Sequence, residues 1–473
     1  MPEEFAAMSV KQLRDGFETG DLLPSDVTAE ALARIERLNP ALNAFQLIDA
    51  EGAGQAAALA DARWRAGAPL SPLDGLPLTI KDTVDAAGWP TRSGSRTTSE
   101  TPAQTDAPVV ARLREAGAVI LGKTTTPEFG WKGMTDSPLA GVTRNPWNTA
   151  HTPGGSSGGA AAALAAGIGV LAHGTDGGGS VRIPASYCGL YGLKPTFGRV
   201  PHHPQTSPFA TLISSGPIAR SMADLAALLM VMIRPDARDW YALPADATDY
   251  DAIVAEAPAS LAGMRIAVSY DLGGALIQPD VRDAVARAAA VFSDLGADVT
   301  EVGPLIAPLR ERFERYWLAG FAYRTASIPE ADRALMDPGL RALAEDGLKL
   351  SLSDYYAGAE ARVALGNEMS QFHQHHDLLL TPTMPTSPPP VETVYHSAQF
   401  DRFDRAVPFT LPFNLTGQPA ASVPCGLCDQ GLPIGLQIVG PRFAEATILK
   451  AAAAFEQAVP APKIRSGPLS VAE

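Results

Sequence analysis

Thr152–Gly167 reads TPGGSSGGAAAALAAG, and Gly174–Gly189 follows as GTDGGGSVRIPASYCG. Two glycine-framed serine clusters thus flank a helix-length alanine run. The first holds Ser156 and Ser157, the second Ser180. Glycine-rich segments serve as linkers, as phosphate cradles or as sources of exposed backbone N–H groups. Both clusters abut apolar, strand-like runs, which argues against a linker. No G-x-x-x-x-G-K-[ST] cradle is present. What remains is backbone chemistry. Gly177, Gly178 and Gly179 lead directly into Ser180, and consecutive N–H groups there can converge on one oxygen, as an oxyanion hole requires. The pattern reads as an acyl-transfer site with Ser180 as nucleophile.

A serine hydroxyl needs a base. The chain has eight histidines. GGSSG also fits G-x-S-x-G, a nucleophile elbow that would make Ser156 the nucleophile with a late histidine as base. Only His396 lies late as a lone candidate, and that reading leaves GTDGGGS without a role. The HQHH tract ending at His376 reads as a helix end, where histidine suits the dipole. Lysine is the alternative base. Lys81 closes the uncharged run LPLTI, although a surface or ion-paired lysine fits the same spacing.

Outward from these clusters, helical and strand patterns alternate. Ser9 and Ser25 are placed to cap the first two helices, the second carrying Val27, Leu32, Ile35 and Leu38 and stopping at Asn39-Pro40. A third helix is predicted over 54–66. Leu78–Lys81 reads as a strand, Asp106 as the cap of a helix closed by Gly117, and Ala118–Leu121 as the next strand. Asp280 opens a helix closed by Gly296, with a strand at 297–302 after it. This alternation predicts a layered α/β fold with a mostly parallel sheet. Residues 241–262 read as a surface excursion and 308–372 as helical and aromatic. LLLTPTMPTSPPP reads as a buried strand and a proline-rich connection, LPIGLQIVG as a strand, and 443–458 as a helix.

The formal charge is −14 over 473 residues, which disfavours nucleic acid and anionic membranes as partners. The longest mainly apolar stretch, Ala160–Ala172, is 13 residues and holds two glycines. A membrane span needs about 20. The acidic start MPEEFAAM does not resemble a secretory leader. Three cysteines argue for a reducing, cytoplasmic setting rather than a disulfide framework. Cys425 and Cys428 form C-x-x-C in VPCGLCDQGLPIG, a turn context that favours a structural role over a metal. No metal or cofactor is expected.

The chain resembles the amidase signature family. The resemblance rests on LDGLPLTIKDTVD, GKTTTPEFG, TRNPWN, PGGSSGG, GTDGGGSVRIPAS, CGLYGLKPTFGRV, GPIARS, LLLTPTMP, TGQPAASVPCG and GLPIGLQIVG, and so runs nearly the whole length. It implies a three-layer α/β/α sandwich around a central mixed, twisted sheet, here one domain over 1–473. The signature core would span about 76–232 and a variable helical pocket segment about 305–375. It also implies a Ser–cis-Ser–Lys triad, which falls on Lys81, Ser156 after a cis Gly155–Ser156 bond, and Ser180, with the N–H groups of 177–180 as oxyanion hole. Lys81 must then be neutral. An unperturbed lysine, pKa about 10.4, is free base in roughly one molecule in 2,500 at pH 7, so burial without a carboxylate partner has to lower it. Asp82 is expected to point elsewhere.

Thr175 and Asp176 are read as braces of the glycine loop. Ser157 is read as a helix cap or a hydrogen-bonding group of the site, and Arg182 as a brace rather than an anion receptor. Trp131, Met134 and Thr135 in WKGMTDSPL are read as pocket lining, which suggests an apolar or aryl substrate. The expected activity is a stand-alone amidase of small amides, with carbamate or ester cleavage as the alternative. A glutamine amidotransferase subunit fits less well with the charge, and a silent scaffold fits less well with an intact triad. A homodimer is a family-level expectation.

Overall fold

A computed structural model of the protein describes residues 5–204, 211–306, 309–393 and 407–462, with side chains from 314 onward in the third segment. His396 and the side chain of Phe313 lie outside the described residues. Thirteen strands are described: β1 Phe45–Ile48, β2 Pro77–Lys81, β3 Val119–Thr124, β4 Asp136–Ser137, β5 Gly141–Val142, β6 Leu171–Asp176, β7 Tyr191–Lys194, β8 Ser214–Ala219, β9 Arg265–Val268, β10 Asp298–Glu301, β11 Leu378–Pro382, β12 Ala420–Leu427 and β13 Pro433–Val439. Eleven form one sheet, in the order β1-β3-β2-β6-β8-β7-β12-β13-β11-β9-β10, while β4 and β5 pair separately.

Helices cover both faces of this sheet, and alternation along the strands shows why. Val119 and Leu121 pack in one hydrophobic cluster and Ile120 in another. Leu171 and Ala172 are divided in the same way, as are Leu378 and Leu379. Successive side chains of a strand point to opposite faces, so each split marks a core on either side. The helices that precede the serine clusters and form them are α1 Val10–Thr19, α2 Pro24–Leu42, α3 Ala50–Arg65, α4 Pro108–Glu115, α5 Gly158–Ala165 and α6 Arg182–Cys188, with α7 Met222–Met232 after them.

The sheet is mixed rather than mostly parallel. Four of its ten neighbour pairs run parallel: β2 with β3 and β6, and β9 with β10 and β11. The β12–β13 hairpin and the antiparallel β6–β8–β7 run supply much of the remainder. Several helix ends also differ from the sequence pattern. Ser9 does cap α1, in a capping box with Gln12. Ser25 lies inside α2, its hydroxyl donating to Asp61 at 2.7 Å, because Pro24 takes the first helical position. Pro40 is tolerated in the last turn, and Asn43, at φ 51°, ends the helix. Asp49 caps α3 four residues before the predicted start. Asp106 instead accepts the Ala87 N–H at 2.7 Å, and α4 starts at Pro108. The 241–262 stretch contains a helix, Tyr250–Ala255, whose Tyr250 ring is buried.

Candidate active site

β2 is an interior strand, paired with β3 and β6, and all five of its residues are buried. Its last residue is Lys81, 1% exposed. The parallel register that sets Leu78 beside Leu171 brings Lys81 level with the end of β6, where Thr175 lies. Crevices at the carboxyl ends of strands are where α/β sheets place their ligands. Lys81 Nζ is 2.7 Å from Ser156 Oγ, 3.0 Å from Thr175 Oγ1 and 3.4 Å from the Thr175 carbonyl. Burial lowers this amine from its ordinary 10.5 to about 7, against the pull of Asp176. Asp82 does not reach it. That carboxylate pairs with Lys123 at 3.0 Å, so the nearest acid along the chain is spent on another cation.

The Gly155–Ser156 peptide is cis. The Ser157 N–H donates to the Ser180 carbonyl at 3.2 Å, which ties the two serine clusters together. Ser157 is the residue before α5, but its side chain makes no capping bond there. Instead its hydroxyl bonds Thr175, donating to the carbonyl and accepting the N–H, both at 3.3 Å. Gly155 sits hard against another segment. A Cβ there would fall 2.7 Å from the backbone N, C and O of Met134. Gly155→Ala is therefore expected to displace Ser156 and lower kcat/KM by about a hundredfold with far-UV circular dichroism unchanged.

Asp176 braces the glycine loop. Its carboxylate accepts the N–H groups of Gly179 at 2.7 Å and Val181 at 3.2 Å, and the Nε and Nη2 of Arg182 at 2.9 Å. Burial works to raise this carboxyl, but Arg182, Lys194 and Asn414 outweigh it and hold it well below the usual range. Arg182 is fully buried and satisfied. Nη1 donates to the Thr410 carbonyl and Gln437 Oε1, and Nη2 also to Asn414 Oδ1. It braces the loop and does not face a ligand. The Gly179 N–H is committed to Asp176, so among 177–180 that amide is not free for a substrate oxygen.

Lys81, Ser156, Thr175, Gly177 and Ser180 line one cavity of about 260 Å³. Ser180 is 8% exposed, buried yet open to this space. Phe129, Gly130, Ile213, Trp317 and Arg324 form other walls, together with His202, His203 and the cis-bonded Pro204. Trp131, Met134 and Thr135 do not line it. Phe129 and Gly130 have left-handed backbones, φ 51° and 72°, and the chain turns there. The turn leaves Phe129 and Gly130 at the cavity and sends Trp131 and Met134 into the core. Thr135 instead holds the serine loop, donating to the Gly154 carbonyl at 2.8 Å and accepting the Gly158 N–H at 3.2 Å. Phe129, Gly130 and Arg324 carry no spacing signal of their own. Only the motif GKTTTPEFG marks the first two.

Among the described residues no group of histidine, cysteine and acidic side chains could hold a metal. Cys425, in β12, and Cys428, just beyond it, are buried free thiols. No described helix is long and apolar enough to cross a membrane.

The sequence profile of the family described as Amidase matches residues 26–449. This chain belongs to the amidase signature family. An acylamidase from Rhodococcus erythropolis is 35% identical over 459 residues, 96% of each chain. The amidase-like component of the glutamyl-tRNA(Gln) amidotransferase of Synechococcus sp. (strain CC9605) is also 35% identical, over 95% of this chain and 96% of that one. The crystal structure of a bacterial aryl acylamidase of the family superposes with a TM-score of 0.88 at 30% identity, covering 96% of both chains. Membership fixes the class of reaction. This amidase is a hydrolase of carbon–nitrogen bonds in linear amides.

Proposed function

We propose that this amidase cleaves small amides bearing apolar or aryl groups through an acyl-enzyme on Ser180, with neutral Lys81 as base and Ser156 as proton relay. The observation that carries this reading is the Lys81–Ser156 contact of 2.7 Å in a buried site where no carboxylate touches the amine. A neutral amine has two N–H donors and one lone pair. The Thr175 carbonyl can only accept, and the Thr175 hydroxyl can accept the second proton. The lone pair is then left for the Ser156 hydroxyl.

In the forward step Ser156 gives its proton to Lys81 and takes one from Ser180. The Ser180 oxygen bonds the amide carbon, and the carbonyl electron pair moves to oxygen. The N–H groups of Gly177, Gly178 and Ser180 are the donors for that oxyanion, Gly179 being engaged by Asp176. The relay runs back as the carbon–nitrogen bond breaks, so the amine leaves protonated. Water then attacks the ester by the same route and frees the acid.

Phe129, Ile213 and Trp317 give the cavity its apolar surface, which suits an aryl or branched body. The likeness to an acylamidase and an aryl acylamidase supports this class over a glutaminase role within an amidotransferase. Carbamates and esters would react by the same acyl-enzyme, and a panel of anilides, aliphatic amides, carbamates, esters and glutamine ranks them. A fluorophosphonate probe is expected to label the wild type and not Ser180→Ala, read by intact-protein mass. Equal labelling of both proteins would overturn the assignment of the nucleophile.

A further inference from the structure

The catalytic cavity opens into a second one of about 380 Å³, and the two share Asp85, Thr91, Phe129 and Arg324 as walls. The outer chamber is mostly hydroxyl-lined, by Thr97, Thr98, Ser99 and Thr101 among others. At the junction the Arg324 guanidinium lies over the Phe129 ring, 4.3 Å from its centroid. This cation is partly buried, yet among the described residues it makes no hydrogen bond and no ion pair. Other arginines held inside the fold are answered. Arg182 meets Asp176, Arg63 meets Asp74, Arg199 meets Asp246, and Arg362 donates to the Leu415 and Thr211 carbonyls. Asp85, in the same wall, accepts the Thr91 hydroxyl at 2.7 Å and sits in the field of Lys123. It does not reach Arg324.

A guanidinium drawn out of water without a counter-ion is costly, and its planar fork matches a carboxylate. We infer that Arg324 is a specificity-determining residue that receives a carboxylate on the substrate. The preferred amides are then anionic ones, with an apolar or aryl body against Phe129 and the charged end at the mouth of the outer chamber. This rests on the amidase reading proposed above and narrows its substrate class. Burial lowers the pKa of Arg324, in keeping with a cation that lacks its partner.

Two matched substrate pairs test it: glutaryl- against valeryl-4-nitroanilide, and 4-acetamidobenzoate against acetanilide. The first places the charge on the acyl side, the second on the leaving group. In at least one pair the wild type is expected to favour the anionic member by about tenfold in kcat/KM, the worth of one charge-assisted contact. Arg324→Gln should erase that preference through KM while neutral substrates change by less than about twofold, and Arg324→Lys should restore part of it. Equal rates within both pairs, or an equal loss on neutral and anionic members, would overturn the inference. Binding of 4-acetamidobenzoate, glutarate and acetanilide to Ser180→Ala, by calorimetry, separates this from a failure of the catalytic reading. If no amide is cut yet Arg324→Gln in that background abolishes carboxylate binding, only the amidase reading falls. If the anions bind no better than acetanilide, the Arg324 inference falls by itself.

Discussion

Lys81→Met is expected to lower kcat/KM by about 10⁴ at pH 7.5, the upper range for removal of a positioned base, while the protein remains folded. Methionine keeps the length and apolar bulk of the lysine stem and discards the amine. The same change should not destabilise the protein at that pH. Lys81 has a folded pKa of about 7 against 10.5 for an ordinary lysine. Between those values the unfolded chain holds a proton that the folded chain does not, so stability rises with pH across that window. Over the full shift the burden is on the order of 5 kcal/mol near pH 7, set against the lost bonds to Ser156 and Thr175. A variant that is inactive yet melts no lower than wild type at pH 7.5, with its advantage shrinking toward pH 10, is the expected result. Thermal melts at several pH values read it.

Arg182→Leu should produce the largest loss of stability, about 3–5 kcal/mol, because it leaves the Asp176 carboxylate buried without its cation. The arginine also joins β6, the serine loop, Thr410, Asn414 and β13, so its loss unpairs acceptors on four segments. Asp176→Asn can still accept the Gly179 N–H and removes the orphaned charge. The double variant should therefore be more stable than Arg182→Leu alone. Simple additivity of the two single changes, measured by denaturant midpoints, would mean that the pair is not coupled.

These two residues mark how far the sequence could be read. Lys81 is legible because a charge at the end of LPLTI, with β2 in the sheet interior, has to be either buried or paired, and the family motif selects the first. Arg182 is legible as a brace from its place beside the glycine loop. Its partners are not, because Asn414 and Gln437 lie more than 200 residues away along the chain and meet it only through the β12–β13 side of the sheet. The pocket wall was the least legible part. Trp131 and Met134 are the larger apolar side chains of WKGMTDSPL, but the left-handed turn at Phe129 and Gly130 decides which side chains face the cavity. Local spacing carries no sign of that turn. Sheet direction failed for a related reason. Helix–strand alternation in the first half predicts parallel pairs, whereas the antiparallel runs come from pairings between strands distant in sequence.

The central claim is that an uncharged Lys81 drives the reaction, and the pH profile of kcat/KM on a neutral anilide, from about pH 5.5 to 9.5, tests it most directly. The rate is expected to climb through one ionisation near 7 to a plateau as the amine loses its proton, with the ionisation absent from the residual activity of Lys81→Met. A flat profile, or the same midpoint persisting in Lys81→Met, would contradict it.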